Sequence, residues 1–461
     1  TKYINSIKNI SNRCNIERLN DISIIVTDGD HGTAEYVNDG IIYFLSECIT
    51  CGFIDITRAK YISFEKHVFL KKSALRPGDV LVIKTGDIGK SAVVPDDVQE
   101  SNISVHVCKI RLKDGYNPYC LSAFINSKYG RAQIERRSMK TTRPEIKLIE
   151  LQDILIPKFS DDFDSLIENV TRNGIDTRKQ AIERYSSACA LLEKELGLDS
   201  FTPSTQNTAE KNISEVFKTG RMDAEYFMPK YEAYYEAVAN YKNGYASVGS
   251  MFEQIDSKCS REASSYRYIE IGDINVGTGV ASFNLVETNE LPENAKIMTQ
   301  KDDILISKVR PNRGAVAILE DDDFLVSGAF TVLREKSEYK KEVLHVLLRS
   351  DVYRDWLLRY NVGTSYPVIK DEDVLNMPLP LLDETTQNEI AARVQESFKL
   401  RRRSEKLISV AVRAVEIAIE GSEDEAMEYI KENFDPFYST KNQEQLLVSI
   451  RELNEGRGQE H

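Results

Sequence analysis

The sequence predicts an α+β protein in which two similar mixed α/β domains are joined by two long antiparallel, coiled-coil-like helices. Three observations predict this class: a segment repeated at long range, an apolar stripe of helical spacing after each copy, and a globular composition. The chain has 461 residues, of which 41% are hydrophobic and 29% are charged. A chain of this length exceeds one ordinary hydrophobic core, so we expect two or three domains.

The repeat is the strongest of these observations. Residues 127–157 align without a gap on residues 350–380, and residues 77–84 match residues 301–308 at nearly the same offset. A period this long is typical of a duplicated domain and is too long for a solenoid. Identical pairs in the first alignment include Arg136 with Arg359, Thr141 with Thr364, Pro144 with Pro367, Ile146 with Ile369 and Lys147 with Lys370.

Each copy combines short β-type runs with a longer helical pattern. In the first copy, glycine-rich turns at residues 28–32 and 84–90 separate the runs. The predicted elements of the first copy are strands at 22–27, 40–45, 80–83 and 91–94 and a helix at 119–137. The predicted elements of the second copy are strands at 266–271, 303–307 and 315–319 and a helix at 341–359.

An apolar stripe follows each copy. Ile175, Ile182, Cys189 and Leu196 recur every seven residues, with Tyr185 and Leu192 between them, which is the a/d pattern of a coiled coil. A helix over 163–196 would be roughly 50 Å long, with Asn173-Gly174 as a candidate break. The polar segment 199–212 predicts a flexible linker, which lets the chain return so that the two helices run antiparallel. The second stripe, within 387–420, consists of Ile390, Val394, Ile408, Val412, Val415 and Ile419.

These patterns predict the domain boundaries. The second copy is preceded by residues 221–226, Arg-Met-Asp-Ala-Glu-Tyr, but no counterpart precedes Lys2-Tyr3, so we expect the sequence to lack a short native N-terminal segment. The predicted parts are a first domain at 1–160, a central helical spacer at 161–198, a linker and domain lead-in at 199–228, a second domain at 229–382, a C-terminal helical spacer at 383–432 and a tail at 433–461.

The net charge of −13 hides a local basic segment. Residues 1–160 carry a small net positive charge, whereas the remainder of the chain is strongly acidic. Between positions 126 and 147, seven Lys and Arg residues are opposed only by Glu135 and Glu145. The acidic average argues against a nucleic-acid coat protein, but a segment of this kind can form a basic face that attracts a polyanion.

Several motifs occur in the same order in the two halves. These motifs are Asp28-Gly-Asp-His-Gly-Thr33, Pro77-Gly-Asp79, Thr141-Thr-Arg-Pro-Glu-Ile-Lys147, Ile154-Leu-Ile-Pro157, Arg221-Met-Asp-Ala-Glu-Tyr-Phe227, Leu379-Pro380 and Gln387-Asn-Glu-Ile390. In these motifs and their order, the chain resembles the specificity subunit of type I restriction–modification enzymes over about residues 14–420. The first helix lacks the glutamine-led start seen at Gln387, and residues after Gly421 match no part of the family pattern.

The resemblance implies a function and partners. Two target recognition domains would read the two halves of a split DNA site, and the helices would set the gap and dock methyltransferase (modification) subunits. The implied partners are double-stranded DNA, the methyltransferase subunits and, as a further candidate, a restriction/translocase subunit. We expect no cofactor in this chain, with S-adenosylmethionine bound by the partner subunits. The odd number of scattered cysteines favours a cytoplasmic location, and no apolar run reaches the ~18 residues of a membrane span.

The candidate site residues are those whose side chains can contact DNA. Lys and Arg neutralise phosphates, while side chains that reach base edges read the sequence. We expect positions shared by both copies to contact phosphate and divergent ones, such as Arg143 against Tyr366, to read bases. The first-copy candidates are His31, Lys84, Lys90, Arg136, Arg137, Lys140, Thr141, Thr142, Arg143 and Lys147. The second-copy candidates are Lys308, Arg310, Arg313, Arg359, Thr364, Ser365, Tyr366 and Lys370.

Other functions fit the sequence less well. The alternatives are the recognition subunit of a type IIB-like or other phage-defence methylation system, and a stand-alone DNA-binding regulator, whose long helices would have no partner. Asp96 with Glu145-Ile-Lys147 resembles a metal-dependent nuclease core, but the second copy has Val368 in place of Glu145. Cys48 and Cys51 could begin a zinc site, yet no second ligand pair follows. We therefore predict a non-catalytic specificity subunit with no metal site.

Overall fold

The computed structural model describes residues 14–32, 35–139 and 142–434. Thr33, Lys140, Thr141, Lys2-Tyr3 and most of the predicted tail lie outside the described residues. The chain divides into two compact units, of which one comprises the described residues up to 180 together with those from 400 onward, and the other comprises residues 181–399. In the described part of the chain, no helix has the length and apolarity needed to cross a membrane.

The two copies begin and end with elements in the same order but differ in the middle, where the first copy has a strand and a helix within residues 60–69 and the second has four strands within residues 274–298. The strands of the first copy are β1 (Asn15–Arg18), β2 (Ser23–Asp28), β3 (Ile41–Phe44), β4 (Lys60–Ile62), β5 (Val80–Ile83), β6 (Ser91–Val93), β7 (Ser101–Ile103), β8 (Val107–Leu112) and β9 (Leu155–Lys158). Its helices are α1 (Leu19–Ile22), α2 (Phe64–Phe69), α3 (Pro118–Asn126), α4 (Lys128–Arg137) and α5 (Leu148–Gln152).

Three helices connect the copies, and the second copy then repeats the pattern. The connecting helices are α6 (Asp161–Glu195), α7 (Ile213–Thr219) and α8 (Pro229–Ala239). The second-copy strands are β10 (Tyr245–Ser247), β11 (Phe252–Gln254), β12 (Ser265–Ile269), β13 (Ile274–Asn275), β14 (Val280–Ala281), β15 (Asn284–Glu287), β16 (Ala295–Met298), β17 (Ile304–Ser307), β18 (Val316–Ile318), β19 (Phe324–Ser327), β20 (Phe330–Glu335) and β21 (Pro378–Pro380). The remaining helices are α9 (Val248–Met251), α10 (Lys341–Arg349), α11 (Asp351–Trp356), α12 (Asp371–Leu375), α13 (Glu384–Glu420) and α14 (Glu423–Asn433).

One sheet has the same strand order in the two copies, and a second sheet shares a parallel pair. An antiparallel sheet has the order β2-β8-β5-β6 in the first copy and β11-β20-β17-β18 in the second. A second sheet contains one parallel pair in each copy, β3 with β7 and β12 with β19. The chain enters and leaves each copy on adjacent antiparallel strands, β1 with β9 and β10 with β21. The mixed α+β class and the duplication predicted from the sequence are therefore confirmed.

A buried ion pair recurs next to the central strand of each copy. Asp79 is 1% exposed and accepts two hydrogen bonds from the Arg111 guanidinium, both at 2.7 Å. Asp303 is 0% exposed and accepts two from Arg334, at 2.7 and 2.9 Å. Bidentate pairs of this kind supply both attraction and fixed geometry. Each pair joins the start of β5 or β17 to the end of the neighbouring strand β8 or β20.

The long helical pattern of each copy is interrupted at one serine, contrary to the single helices predicted at 119–137 and 341–359. Ser127 separates α3 from α4 and accepts a hydrogen bond from Gly130 N at 3.3 Å. Ser350 separates α10 from α11 and accepts one from Tyr353 N at 3.4 Å. Both serines have extended backbone and serve as N-caps, which apolar spacing alone does not reveal.

The long helices α6 and α13 pair antiparallel within each unit. In the first unit, Ser404 Oγ donates to Gly174 O at 2.5 Å. In the second unit, Ser397 Oγ donates to Ala181 O at 2.6 Å. Helix α6 continues through Asn173-Gly174, so the predicted break is wrong. The Ile408 side chain lies 3.0 Å from the position a Cβ on Gly174 would occupy, so this glycine permits close packing of the helices.

The apolar seam of α6 is shifted from the predicted one. Ile182 is 45% exposed, whereas Ala181, Ala188 and Leu192 are buried. Of the predicted seam, Leu192 and Leu196 are buried, whereas the small residues Ala181 and Ala188, which the hydrophobic pattern did not select, are buried in place of Ile182. Helix α14, which follows α13 in the chain, contributes the buried side chain of Ile430 to the hydrophobic core of the first unit. Residues 199–212 form neither helix nor strand, as the predicted linker requires.

We predict that Arg111→Ala destabilises the first unit by about 3 kcal/mol, because it leaves the buried Asp79 carboxylate without its cation. The matched control is Arg18→Ala, which removes an exposed ion pair with Asp153 and should cost under about 1 kcal/mol. Urea denaturation followed by circular dichroism compares the two variants. Equal losses of stability would contradict a structural role for the buried pair.

Candidate nucleic-acid interface

Two loops lie side by side at the same place in each copy. In the first copy, residues 84–90 follow β5 and contact residues 142–147, which precede α5; we call these segments the first loop pair. Gly86 N donates to Pro144 O at 2.8 Å, and Ile146 N donates to Lys84 O at 2.9 Å. These main-chain bonds fix the register of the two loops without using any side-chain atom.

The second copy builds the same arrangement from residues 308–314 and 364–370, the second loop pair. Arg310 N donates to Pro367 O at 2.7 Å, and Ile369 N donates to Lys308 O at 3.0 Å. Equivalent residues therefore make equivalent bonds in the two copies. The register predicted from the repeat holds in three dimensions, so position-by-position comparison of the loop pairs is justified.

Lys84 does not lie on the surface, as a phosphate contact would require. Its side chain is 7% exposed, and its Nζ lies 2.6 Å from Asp28 Oδ2 and 3.6 Å from Glu145 Oε1. Lys308 in the second copy is similarly placed, with Nζ 3.0 Å from both Asp371 carboxylate oxygens. We therefore correct the two lysines from phosphate contacts to structural residues that anchor the base of each loop pair.

The other first-copy candidates divide by exposure. His31 is 71% exposed beside Asp28, with Nε2 3.2 Å from the carboxylate. Arg137 is half-buried and bonds to Glu150 Oε2 and Asp153 O, which makes it a structural residue in this structure. Lys90 is half-buried and pairs with Asp87. The exposed candidates are Arg136, Thr142, Arg143 and Lys147, and Lys140 and Thr141 lie outside the described residues.

The second-copy candidates divide in the same way. Arg359 is half-buried: its Nε donates to Tyr226 O at 3.2 Å, and its guanidinium lies 4.6 Å from the centre of the Tyr226 ring. Arg310 is exposed and lies over the Tyr366 ring at 5.5 Å. Lys370 is exposed and pairs with Glu372 at 3.1 Å. The remaining exposed candidates are Arg313, Thr364, Ser365 and Tyr366.

The structure adds residues that the sequence did not single out. Arg221, noted only as part of a motif, donates from Nη2 to Asn361 O at 2.8 Å and so supports the segment leading into the second loop pair. His106 lies beside the first loop pair, and burial together with Arg143 and Lys84 lowers its pKa. The imidazole therefore stays neutral at neutral pH and adds no cation to this surface. No sequence pattern singled out His106, which lies in the short turn between β7 and β8.

The residues considered for metal chemistry are engaged elsewhere. Asp96 pairs with Arg172 at 2.7 Å, whereas Glu145 lies beside Lys84. Burial raises the pKa of the Cys48 thiol to about 12, which disfavours the thiolate that zinc requires. Within the described ranges, no group of three or more His, Cys, Asp or Glu residues is arranged to hold a metal ion.

The fold therefore defines a duplicated α+β-domain protein with a long helix after each copy. Residues 247–409 match the family model described as type I restriction modification DNA specificity domain. The matched residues comprise nearly all of the second copy and the larger part of α13. This match confirms the family resemblance that the sequence predicted.

Solved structures of similar length resemble the chain over most of its extent. The S subunit of the type I restriction-modification system from M. genitalium is 14% identical, with 88% of this chain and 95% of that chain covered and a TM-score of 0.42. The HsdS subunit from Thermoanaerobacter tengcongensis is 14% identical, with 88% and 97% covered and a TM-score of 0.28. A structure describing complex assembly and conformational transition of the type I R-M system is 15% identical, with 89% and 98% covered and a TM-score of 0.30. No curated protein matches the chain.

We predict opposite behaviour for the variants Lys84→Ala and Arg136→Ala. Lys84→Ala should cost about 3 kcal/mol of stability, because Asp28 loses its buried cation. Arg136→Ala should change stability by less than about 0.5 kcal/mol and lower the salt slope of DNA binding by about one unit. Thermal denaturation and binding titrations at several salt concentrations measure both quantities. A stable Lys84→Ala variant with a reduced salt slope would return Lys84 to the phosphate-contacting class.

Proposed function

We propose that this chain is the non-catalytic DNA-recognition subunit of a multisubunit restriction–modification complex. Each copy reads one half of a bipartite DNA target through its loop pair. The single observation that carries the proposal is that both copies build the same hydrogen-bonded loop pair but expose different side chains on it. One framework with two sets of side chains is what two different half-sites require.

The charge of the exposed residues supports a DNA ligand. The acidic chain nevertheless has exposed cations on or beside both loop pairs, among them Arg136, Arg143 and Lys147 in the first copy and Arg310, Arg313 and Lys370 in the second. Cations of this kind neutralise phosphates and position a protein on the duplex. Hydroxyl and aromatic side chains among them, such as Thr142, Ser365 and Tyr366, are able to contact base edges.

The paired helices are proposed to set the gap between the half-sites and to dock the methyltransferase subunits. Within the first unit, Ser404 of α13 contacts Gly174 of α6, and within the second unit Ser397 contacts Ala181. In each unit a serine hydroxyl thus fixes the position of one helix against the other, as a spacer of defined length requires. The partner subunits would bind S-adenosylmethionine and carry out methylation, in the cytoplasm.

A type IIB-like or other defence methylation system would use the same recognition architecture. Co-purification of the chain with its partners, followed by mapping of methylated sites, separates these systems from a stand-alone regulator. The proposal requires a methyltransferase partner and methylation at a split sequence. A chain that binds DNA with no such partner would support the regulator instead.

We predict that the two copies are exchangeable modules. Strands β1 and β9 pair side by side, with Asn15 opposite Lys158, so the two ends of the segment 14–158 lie next to each other. Replacing this segment with the matching domain of a relative of different specificity should change one half-site and leave the other intact. Sequencing of methylated DNA from cells carrying the chimaera reports both halves. A change in both halves would contradict independent reading.

We predict that matched insertions in both helices lengthen the unread gap. About four residues after Gln180 and about four after Lys399 leave the helix contacts within each unit in place. They add roughly 6 Å of helix, compared with about 3.4 Å per base pair of DNA. The half-sites should stay the same, and the gap should grow by one or two base pairs in methylation-site maps.

The matched control inserts about two residues at each of the same points. This change rotates the apolar face by roughly 200° and should prevent assembly of an active complex. An active four-residue variant that still requires the original gap would show that the helices do not set the distance.

A further inference from the structure

The two loop pairs differ at one spatially equivalent pair of positions. Gly86 and Arg310 occupy the same site, because each donates its main-chain N–H to the proline carbonyl of the facing loop. The residue just before that proline is Arg143 in the first copy and Tyr366 in the second. The first copy therefore combines Gly86 with Arg143, and the second combines Arg310 with Tyr366.

In each copy one exposed arginine covers this point, but it comes from opposite loops. Arg143 Nε lies 3.7 Å from the position that a Cβ on Gly86 would take. In the second copy, Arg310 extends from the Gly86-equivalent position, and its guanidinium lies over the Tyr366 ring. The absence of a side chain at Gly86 leaves room for Arg143, and Tyr366 provides a flat surface on which Arg310 rests.

The backbone supports a specific use for Arg310. Gly86 has φ +88°, in the left-handed region that glycine adopts easily. Arg310 keeps this conformation, with φ +51°, although a side chain makes it unfavourable. Strain of this kind occurs where the surrounding structure and function require a particular side chain. A glycine at position 310 would fit the loop without backbone strain. The arginine at this strained position therefore indicates a role for its guanidinium.

We propose that Arg143 and Arg310 are equivalent base-reading residues, each recognising a guanine in the major groove of its own half-site. A guanidinium offers two parallel N–H donors that match guanine O6 and N7. Stacking on Tyr366 restricts the Arg310 side chain, which favours a defined donor direction. This assignment rests on the proposed DNA-recognition function, and it adds which residue of each copy reads a base and which base that residue reads.

The test uses the full chain assembled with its methyltransferase subunits and a randomised DNA duplex library. Bound duplexes are sequenced for the wild type and for Arg310→Gly, which restores the residue found in the first copy. Thermal stability of Arg310→Gly should be equal to or higher than that of the wild type. One G·C pair in the second half-site should become degenerate, with discrimination falling about tenfold to a hundredfold, and the first half-site should stay unchanged.

Two further variants complete the design. Arg143→Gln should relax one G·C pair in the first half-site only. Lys370→Ala removes an exposed cation at the end of the second loop pair. The variant should bind all DNA sequences more weakly and keep the base preference at every position of the target. Failure of the wild type to enrich any split sequence would overturn the proposed function itself. This assignment alone would be overturned if Arg310→Gly left the enriched split sequence unchanged. The same holds if the variant lost base preference at an A·T pair or in both half-sites.

Discussion

The main-chain hydrogen bonds between the two loops of each pair are the constraint on which the proposed recognition surface depends. They join Gly86 to Pro144 in the first copy and Arg310 to Pro367 in the second. Since these bonds use no side-chain atoms, the exposed residues can change while the loops keep their positions. Buried Lys84 and partly buried Lys308 at the start of the loops keep the same backbone contacts but pair with different carboxylates. A duplicated domain could therefore diverge in what it reads without losing its framework.

The helices depend on a different constraint, which is the close approach of their backbones. Gly174 and Ala181 on α6 have carbonyls that accept hydrogen bonds from the serines of α13. Both serines, Ser397 and Ser404, are buried, so these bonds satisfy hydroxyls that would otherwise be costly to bury. Small residues allow this geometry, whereas a purely large apolar seam would separate the helices. Helices that pair in this way are held in one register within each unit, which the proposed spacer between two half-sites requires.

Much of the fold could be predicted from the sequence. The duplication, the strand at 80–83 and the extent of the first long helix follow from patterns that are local or repeat in register. The serine caps at Ser127 and Ser350 were missed because apolar spacing continues across them. The exposure of Ile182 was missed because several neighbouring residues on α6 offer alternative seams, and only the facing helix selects among them.

The candidate surface was predicted less completely than the fold. Sequence comparison aligned each loop with its counterpart in the other copy, but it did not show that the two loops of one copy face each other. It could not separate Lys84, which is buried against Asp28, from the exposed Arg136, because burial depends on strands that are distant in sequence. For the same reason, the contact of Arg310 with Tyr366 becomes visible only when the two loops are brought together in space.

Photo-cross-linking to DNA tests the central claim most directly. A photoreactive amino acid replaces Thr142 in one preparation and Ser365 in another, because these exposed residues occupy equivalent positions in the two loop pairs. Each preparation is assembled with its partner subunits on a duplex carrying the split target, and the cross-linked nucleotide is mapped. The account predicts that position 142 cross-links to one half-site and position 365 to the other. Cross-links from both positions to the same half-site would contradict it.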